Sequence, residues 1–454
     1  MSFSVINPAT GEKIRDIPVW NEEQLEGALR QTAAVTPQWA MTPLLDRCNL
    51  MRRAAQVVRD NVDRYAPIIT QEMGKLIGDA RSEVLKCATV CDYYADNGPK
   101  FLQDEVIISD AGRSYVAYLP IGTVLAVMPW NYPFWQVFRF AAPALVAGNT
   151  GVLKHASNVP GCAMAIEEIF VSAGFPAGVF RSLMIGASQV QRVIADKRIH
   201  AVTLTGSESA GRKVAATAGE YLKKSVLELG GSDAFIVLED ADLDLAAKAA
   251  VTSRFLNSGQ SCIAAKRFIV VDAIAEDFVA RFKAGAEALT PGDPMQAGTT
   301  LAPMARMDLR DELHKQVRDS IAAGATAVTG CEPIAGPGAF YKASILDRVS
   351  RGVRAYGEEL FGPVAIVIRA RDEEEALAIA NELEFGLGGS VWTRDTNRGE
   401  RLARRMQSGA TFVNGVVKSD PRLPFGGIKR SGYGRELSHH GMHEFLNAKT
   451  IWIK

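Results

Sequence analysis

The 454 residues include 51 Lys+Arg and 51 Asp+Glu, a formal net charge of +0, which excludes the strong positive field of a nucleic-acid or anionic-membrane binder. At roughly 150 residues per domain the length provides for about three domains, each able to bury a core. The six cysteines form no C-x-x-C pair and are too sparse for a disulfide scaffold, so a reducing cytoplasm is the expected compartment. In chain order, MSFSVINPATGEKIRD carries no apolar leader run, and most of the first hundred residues read as helix: NEEQLEGALRQTAAV from Asn21, then an amphipathic stretch from Leu44 to about Glu72. SYVAYLPIGTVLAVMPW, from Ser114, predicts two strands divided by Pro120 and Gly122 and ending at Pro129. The longest uncharged stretch, Ser114 to Phe138, is broken by those residues and by Asn131 and Pro133, so no membrane partner is expected.

Beyond Pro129 helices and strands alternate. Helices are predicted at Phe134–Ala147, Pro160–Ala173, Ser188–Asp196 and Ser209–Thr217, with strands at Thr150–Lys154, Phe180–Ile185, Ala201–Thr205 and Ser225–Glu228. Such alternation implies an α/β architecture with a mostly parallel sheet covered on both faces. A second alternating block begins with a helix capped by Asp240 or Asp242 and running to about Leu256, then a strand at Arg267–Val271 and a helix through Leu289. Further units reach Asn414, and the tail NAKTIWIK reads as a lone strand that must find a partner elsewhere, on another subunit if not on this one.

Several positions in this frame invite chemistry, and each also has an ordinary structural use. Cys262, in FLNSGQSCIAAKR, falls in a tight turn after a predicted helix end at Gly259, where a thiol serves either as a nucleophile or as a small buried apolar group. Glu228 ends a strand and precedes LGGS, and the carboxyl ends of parallel strands are where open α/β sheets bind ligands. Asn131, in MPWNYP, offers an amide to a developing oxyanion or simply shapes a turn. Gly206 and Ser207 join a strand to a helix start, which suits a phosphate but lacks the G-x-G-x-x-G spacing, and Lys154 closes the strand GVLK within reach of such an anion. His439, His440 and His443 imitate a metal cluster, but Gly441 interrupts them and no acidic residue or cysteine stands among them, so no metal is expected.

Together these segments resemble the NAD(P)-dependent aldehyde dehydrogenase superfamily, from INPATGE at Ile6 to the last residues. PWNYP, VLKHAS, TGSESAG, LELGGSD, NSGQSC, EELFGPV, FVNG and PFGGIKRSGYGRE occur in that family's order. The resemblance implies a Rossmann-like cofactor-binding domain (1–100 and 121–230), an α/β catalytic domain (231–435) and a small β oligomerisation element (101–120 and 436–454), with a homodimer or homotetramer as the assembly. It assigns Cys262 as the nucleophile, with a thiol pKa lowered from its usual value, Asn131 and the Cys262 amide as the oxyanion hole, and Glu228 as the base that activates the deacylating water. Cofactor contacts fall to Trp130, Lys154, Ser157, Gly206, Ser207, Leu229, Glu359 and Phe361.

Ser157 stands three residues after Lys154, where NAD-specific members often carry a glutamate. A carboxylate there would repel a 2′-phosphate and a serine tolerates it, so NADP is expected, with NAD as a possible second cofactor. Among subfamilies the sequence is most similar to succinate-semialdehyde dehydrogenases, in which Arg139 would hold the substrate's distal carboxylate with Ser419 nearby. It departs from that pattern at Leu256, where a second arginine is often found. Glutarate semialdehyde or a broad set of aliphatic aldehydes is the alternative substrate class, and Glu228 argues against a CoA-acylating relative.

Overall fold

The computed structural model describes residues 2–454. A six-stranded sheet runs in the order Gly432–Tyr433, Lys224–Glu228, Ala201–Thr205, Thr123–Met128, Thr150–His155 and Phe180–Ser182, parallel throughout except for its first strand. The second sheet has seven strands, ordered Thr326–Thr329, Ser344–Asp347, Val364–Ala370, Ala265–Val271, Asp233–Val237, Gly388–Trp392 and Ala410–Val413, and only its first strand is antiparallel. The central strands are short, mostly apolar runs buried on both faces, as parallel sheets under helices require, while edge strands such as Thr326–Thr329 are half-exposed.

The predicted alternation is present with shifted ends. The helix proposed to start at Asp240 or Asp242 spans Leu243–Phe255 and is capped by the Asp242 carboxylate, which accepts from Leu245 N at 3.1 Å. The amphipathic stretch from Leu44 is two helices, Leu44–Asp60 and Val62–Met73, broken at Asn61, whose amide donates to Val57 O at 2.8 Å. The predominantly helical beginning is itself preceded by an antiparallel hairpin, Ser2–Ile6 with Lys13–Pro18; the first strand alternates, turning Phe3 and Val5 inward, but it is short, and the second is almost wholly exposed. The chain turns between them at Gly11, with φ +73°, where a left-handed backbone suits glycine.

The tail strand pairs within its own chain. Leu446–Ile453 lies antiparallel to Arg113–Pro120 over its whole length, and Glu105–Val106 completes a three-stranded sheet. No helix among the described residues is long and apolar enough to cross a membrane. Helix Trp135–Val146 is buried on every side, as expected of a segment apolar all round, and Arg139 is its one charged residue. A guanidinium in that position must be paired, and Glu436 supplies the partner.

Candidate active site

The carboxyl edge of the six-stranded sheet collects most of the positions singled out in the sequence. Trp130 and Asn131 follow strand Thr123–Met128, Ser157 follows Thr150–His155, Gly206 and Ser207 follow Ala201–Thr205, and Glu228 closes Lys224–Glu228. Cys262 comes from the other sheet, three residues before strand Ala265–Val271. Asn131 reaches the loop that carries the thiol, its amide donating to Gln260 O, while Ser207 lines a separate cavity.

The loop holding Cys262 is strained and tightly tied. Asn257, Ser258 and Gly259 all have left-handed backbones, with φ of 53°, 52° and 71°. Residues without glycine's freedom hold that conformation only where the surroundings impose it. Buried Arg254 imposes it here, donating to Gly259 O at 2.6 Å, Gly362 O at 2.8 Å and Ala265 O at 3.0 Å. Lys266 Nζ donates to Ser261 O at 2.9 Å and to Cys262 O at 2.7 Å, and its ammonium pairs with Glu359 at 3.1 Å. Ser258 Oγ donates to Ala302 O at 2.7 Å.

Asn131 is fixed to this loop from the opposite side. Its Nδ2 donates to Gln260 O at 3.1 Å, its Oδ1 accepts from Gln136 Nε2 at 3.1 Å, and its carbonyl accepts from Lys75 Nζ and from Asn257 Nδ2, each at 2.9 Å. A carboxamide nitrogen carries two hydrogens, so one remains to meet an oxyanion beside Cys262. Lys75 is itself ion-paired with buried Glu83, whose Oε1 accepts from Phe134 N at 2.9 Å and Trp135 N at 3.0 Å at the start of the buried helix.

The electrostatics of the thiol differ from the expectation of a lowered pKa. Burial pushes Cys262 up to about 12, against the opposing charges of Arg139 and Lys266, while Glu228 and Glu359 push it further. Burial likewise lifts Glu228, to about 8, opposed by Arg139 and reinforced by Glu436. No side chain hydrogen-bonds either Glu228 oxygen, although both are buried. A carboxyl group poised near neutrality, met only by the Gly427 main chain, is equipped to take and return a proton. The other five cysteines are packing residues, and burial raises the thiol pKa of each.

A cavity of about 240 Å³ opens beside Cys262, lined also by Arg139, Ser419, Trp135, Leu256 and Phe425. The structure therefore brings Cys262, Arg139 and Ser419 together, while Asn131 and Glu228 lie outside that lining. Arg139 is committed: it is ion-paired with buried Glu436, and its guanidinium carbon stands 4.5 Å from the centre of the Phe425 ring. Sequence reading missed Glu436, and it missed Lys86, whose Nζ donates to Ser419 Oγ at 2.8 Å. One signal for Lys86 was available, since Asp79, Glu83 and Lys86 repeat at i, i+4 and i+7 along helix Ile77–Phe101 and so share one face.

A second cavity of about 740 Å³ is lined by Lys154, Ser207 and Lys213 among others. Ser207 caps helix Glu208–Glu220, accepting from Ala210 N at 3.3 Å, and Gly206 N donates to Glu228 O at 2.9 Å. Lys154 is buried and, among the described residues, has no acidic partner, so that burial alone lowers its pKa. Ser157 is exposed on the loop beyond its strand. Trp130 and Phe361 pack edge to face with ring centres 5.8 Å apart. Glu359 Oε1 accepts from Gly231 N at 3.2 Å, and a Cβ on Gly230 would fall 2.2 Å from Glu359 Oε2, so a larger residue there would push this carboxylate out of its place. Leu229 is buried, and its methyl would lie 2.6 Å from a Cβ on Gly211 of the capped helix. The histidines are engaged otherwise: His443 Nε2 meets Phe101 O at 2.7 Å, and its ring stacks on Tyr118 at 4.2 Å.

Comparison with known proteins agrees with this geometry. The model of the aldehyde dehydrogenase family matches residues 1–451. The chain is 49% identical over 453 residues, covering 100% of each chain, to a Synechocystis protein named "Probable succinate-semialdehyde dehydrogenase [NADP(+)]". It is 48% identical over 447 residues to a succinate semialdehyde dehydrogenase [NAD(P)+] of Escherichia coli strain K12, covering 98% of this chain and 97% of that one. Among solved structures, succinic semialdehyde dehydrogenase from Streptococcus pyogenes in complex with NADP+ superposes with a TM-score of 0.98 at 39% identity, covering 99% of both chains. With a family match along nearly its whole length, and relatives close to half identical over the full chain, this chain belongs to the aldehyde dehydrogenase family.

Proposed function

We propose that the protein oxidises succinic semialdehyde to succinate with NADP, NAD serving as a second cofactor. The observation that carries this reading is the small cavity shared by Cys262, Arg139 and Ser419, which places a nucleophile and a cationic wall around a space suited to a short aldehyde. The cofactor's requirements are met by the unpaired buried ammonium of Lys154 in the larger cavity, with Ser207 at the helix start and Ser157 where a carboxylate would oppose a 2′-phosphate. Gly206, Leu229, Glu359, Trp130 and Phe361 would complete the cofactor contacts, Glu359 by accepting from a ribose hydroxyl and the two aromatic rings by apolar contact.

In this mechanism Cys262 passes its thiol proton to water and attacks the aldehyde carbon as thiolate to form a thiohemiacetal, whose oxygen would be met by the free hydrogen of Asn131 Nδ2 and by the Cys262 amide. When bound, NADP supplies the acceptor for the hydride that leaves the thiohemiacetal. The resulting thioester is cleaved by a water whose proton Glu228 takes, and the sulfur departs as thiolate. Arg139 and Ser419 form the wall facing the substrate's carboxylate. Leu256, half-exposed in that wall, favours the second reading, a wider range of aliphatic aldehydes or glutarate semialdehyde.

Residues 1–100 and 121–230 act in this reading as the cofactor-binding domain, 231–435 as the catalytic domain, and 101–120 with 436–454 as the element that joins subunits into a homodimer or homotetramer. The deciding experiment is steady-state NADPH and NADH formation across short aldehydes with and without a terminal carboxylate. Succinic semialdehyde with NADP is expected to show the highest kcat/KM, and stoichiometric alkylation of Cys262 is expected to abolish it. Equal kcat/KM for butyraldehyde would reject the substrate assignment, and full activity after alkylation would reject the nucleophile.

A further inference from the structure

The cations lining the cavity beside Cys262 are not equivalent. Lys75 is paired with Glu83 and also holds the Asn131 carbonyl, and Arg139 is paired with Glu436. Lys418 is exposed to solvent at the rim. Lys86 alone stands partly buried without an acidic partner: its Nζ donates to Ser419 Oγ at 2.8 Å and lies 4.0 Å from the centre of the Trp135 ring. A hydroxyl and an indole face provide no ion pair for its positive charge, which only the more remote carboxylates of Glu83 and Asp420 offset, and an ammonium removed from water without a paired counter-charge is costly. Burial accordingly holds the Lys86 ammonium down to about 8, with Arg139 opposing its charge further.

We propose that Lys86, together with Ser419, binds the distal carboxylate of the aldehyde substrate directly, supplying from helix Ile77–Phe101 the charge that the chain lacks at Leu256. The proposal rests on the assignment of a carboxylated aldehyde as substrate. A carboxylate placed between Nζ and Oγ accepts one charge-assisted and one neutral hydrogen bond, and it supplies the missing counter-charge. The neighbouring Arg139 guanidinium is neutralised by Glu436, so it shapes the wall and adds a weaker attraction. The same arrangement discriminates against uncharged aldehydes, because binding one would leave the ammonium buried and unpaired.

The test compares kcat/KM for succinic semialdehyde and for butyraldehyde in the wild-type enzyme and in Lys86→Met, Lys86→Gln and Lys86→Arg. The expected result is a wild-type preference for the carboxylated substrate that falls about 10–100-fold in the Met and Gln variants, mainly through KM, and is largely retained in Lys86→Arg. A wild-type preference that survives in both neutral variants would overturn the role of Lys86 and leave the substrate assignment standing. No preference in the wild-type enzyme would overturn the assignment, and the proposal with it. A readout needing no variant is NMR of the 13C-dimethylated wild-type lysines: succinate is expected to raise the titration midpoint of the Lys86 signal, and an unmoved midpoint at saturating succinate would count against the proposal.

Discussion

Glu228 and Cys262 illustrate how burial sets chemistry at single residues. A carboxyl group lifted from 4.5 to about 8 is mostly protonated at neutral pH, so its capacity to accept a proton from water grows as pH rises. Where deacylation limits turnover, kcat is expected to climb with pH and level off above about 8, checked by a pH profile at saturating substrate. Linkage runs in the opposite direction for stability. The folded state holds this proton more tightly than the unfolded one, so the stabilisation present below pH 4.5 is lost as pH rises towards 8. Glu228→Gln is expected to keep a single-turnover burst of NADPH while lowering steady-state kcat by about 10²–10⁴-fold. Stopped-flow absorbance distinguishes this outcome from loss of the burst itself, which would assign Glu228 to the acylation step. At the cofactor end, Ser157→Glu is expected to shift the NADP/NAD ratio of kcat/KM towards NAD by about 10-fold or more, through repulsion of the 2′-phosphate.

At the scale of elements, the site depends on how two segments are held. The loop from Asn257 to Cys262 packs against the Gly362 turn so closely that a Cβ on Gly259 would sit 2.2 Å from Gly362 O and 2.4 Å from Arg254 Nη2. Gly259→Ala therefore combines a left-handed backbone with a clash against main chain. It is expected to cost about 1–3 kcal/mol from the backbone strain alone. The acylation burst should be impaired more than the fold, a difference to be measured by thermal unfolding alongside single-turnover kinetics. The buried helix Trp135–Val146 is the other segment: Glu83 caps its start while Arg139 requires Glu436 from the end of the chain. That charged residue was visible in the sequence, but its partner was not, because nothing local relates residues 297 positions apart. Lys86 and Ser419, separated by 333 positions, escaped for the same reason.

Across the whole molecule, the three-stranded sheet stands apart from the two large ones and exposes apolar side chains. Trp452 is 51% exposed and Val106 76%, with Ile453 also accessible, and Ile108 in the loop just beyond the short strand is 98% exposed. An apolar sheet of this kind is suited to cover another copy. In the proposed homodimer or homotetramer, Trp452→Lys is expected to produce smaller species in sedimentation velocity, with the unfolding temperature falling as the subunits separate; a wild-type chain that sediments as a monomer would reject the proposed assembly. Alternating apolar runs and their turns were enough to specify the parallel α/β layout, since burial of both sheet faces leaves a signature in every strand. They also placed Asn131, Gly206, Ser207 and Glu228 at strand ends, and the turn around Cys262 was readable from its glycine and polar neighbours. Tertiary structure decided the rest: which strand the tail pairs with, the rise of the Cys262 and Glu228 pKa values, and the difference between a neutralised Arg139 and an unpaired Lys86. Periodicity is a local property of the chain, whereas desolvation and charge pairing depend on what distant segments place within a few ångströms.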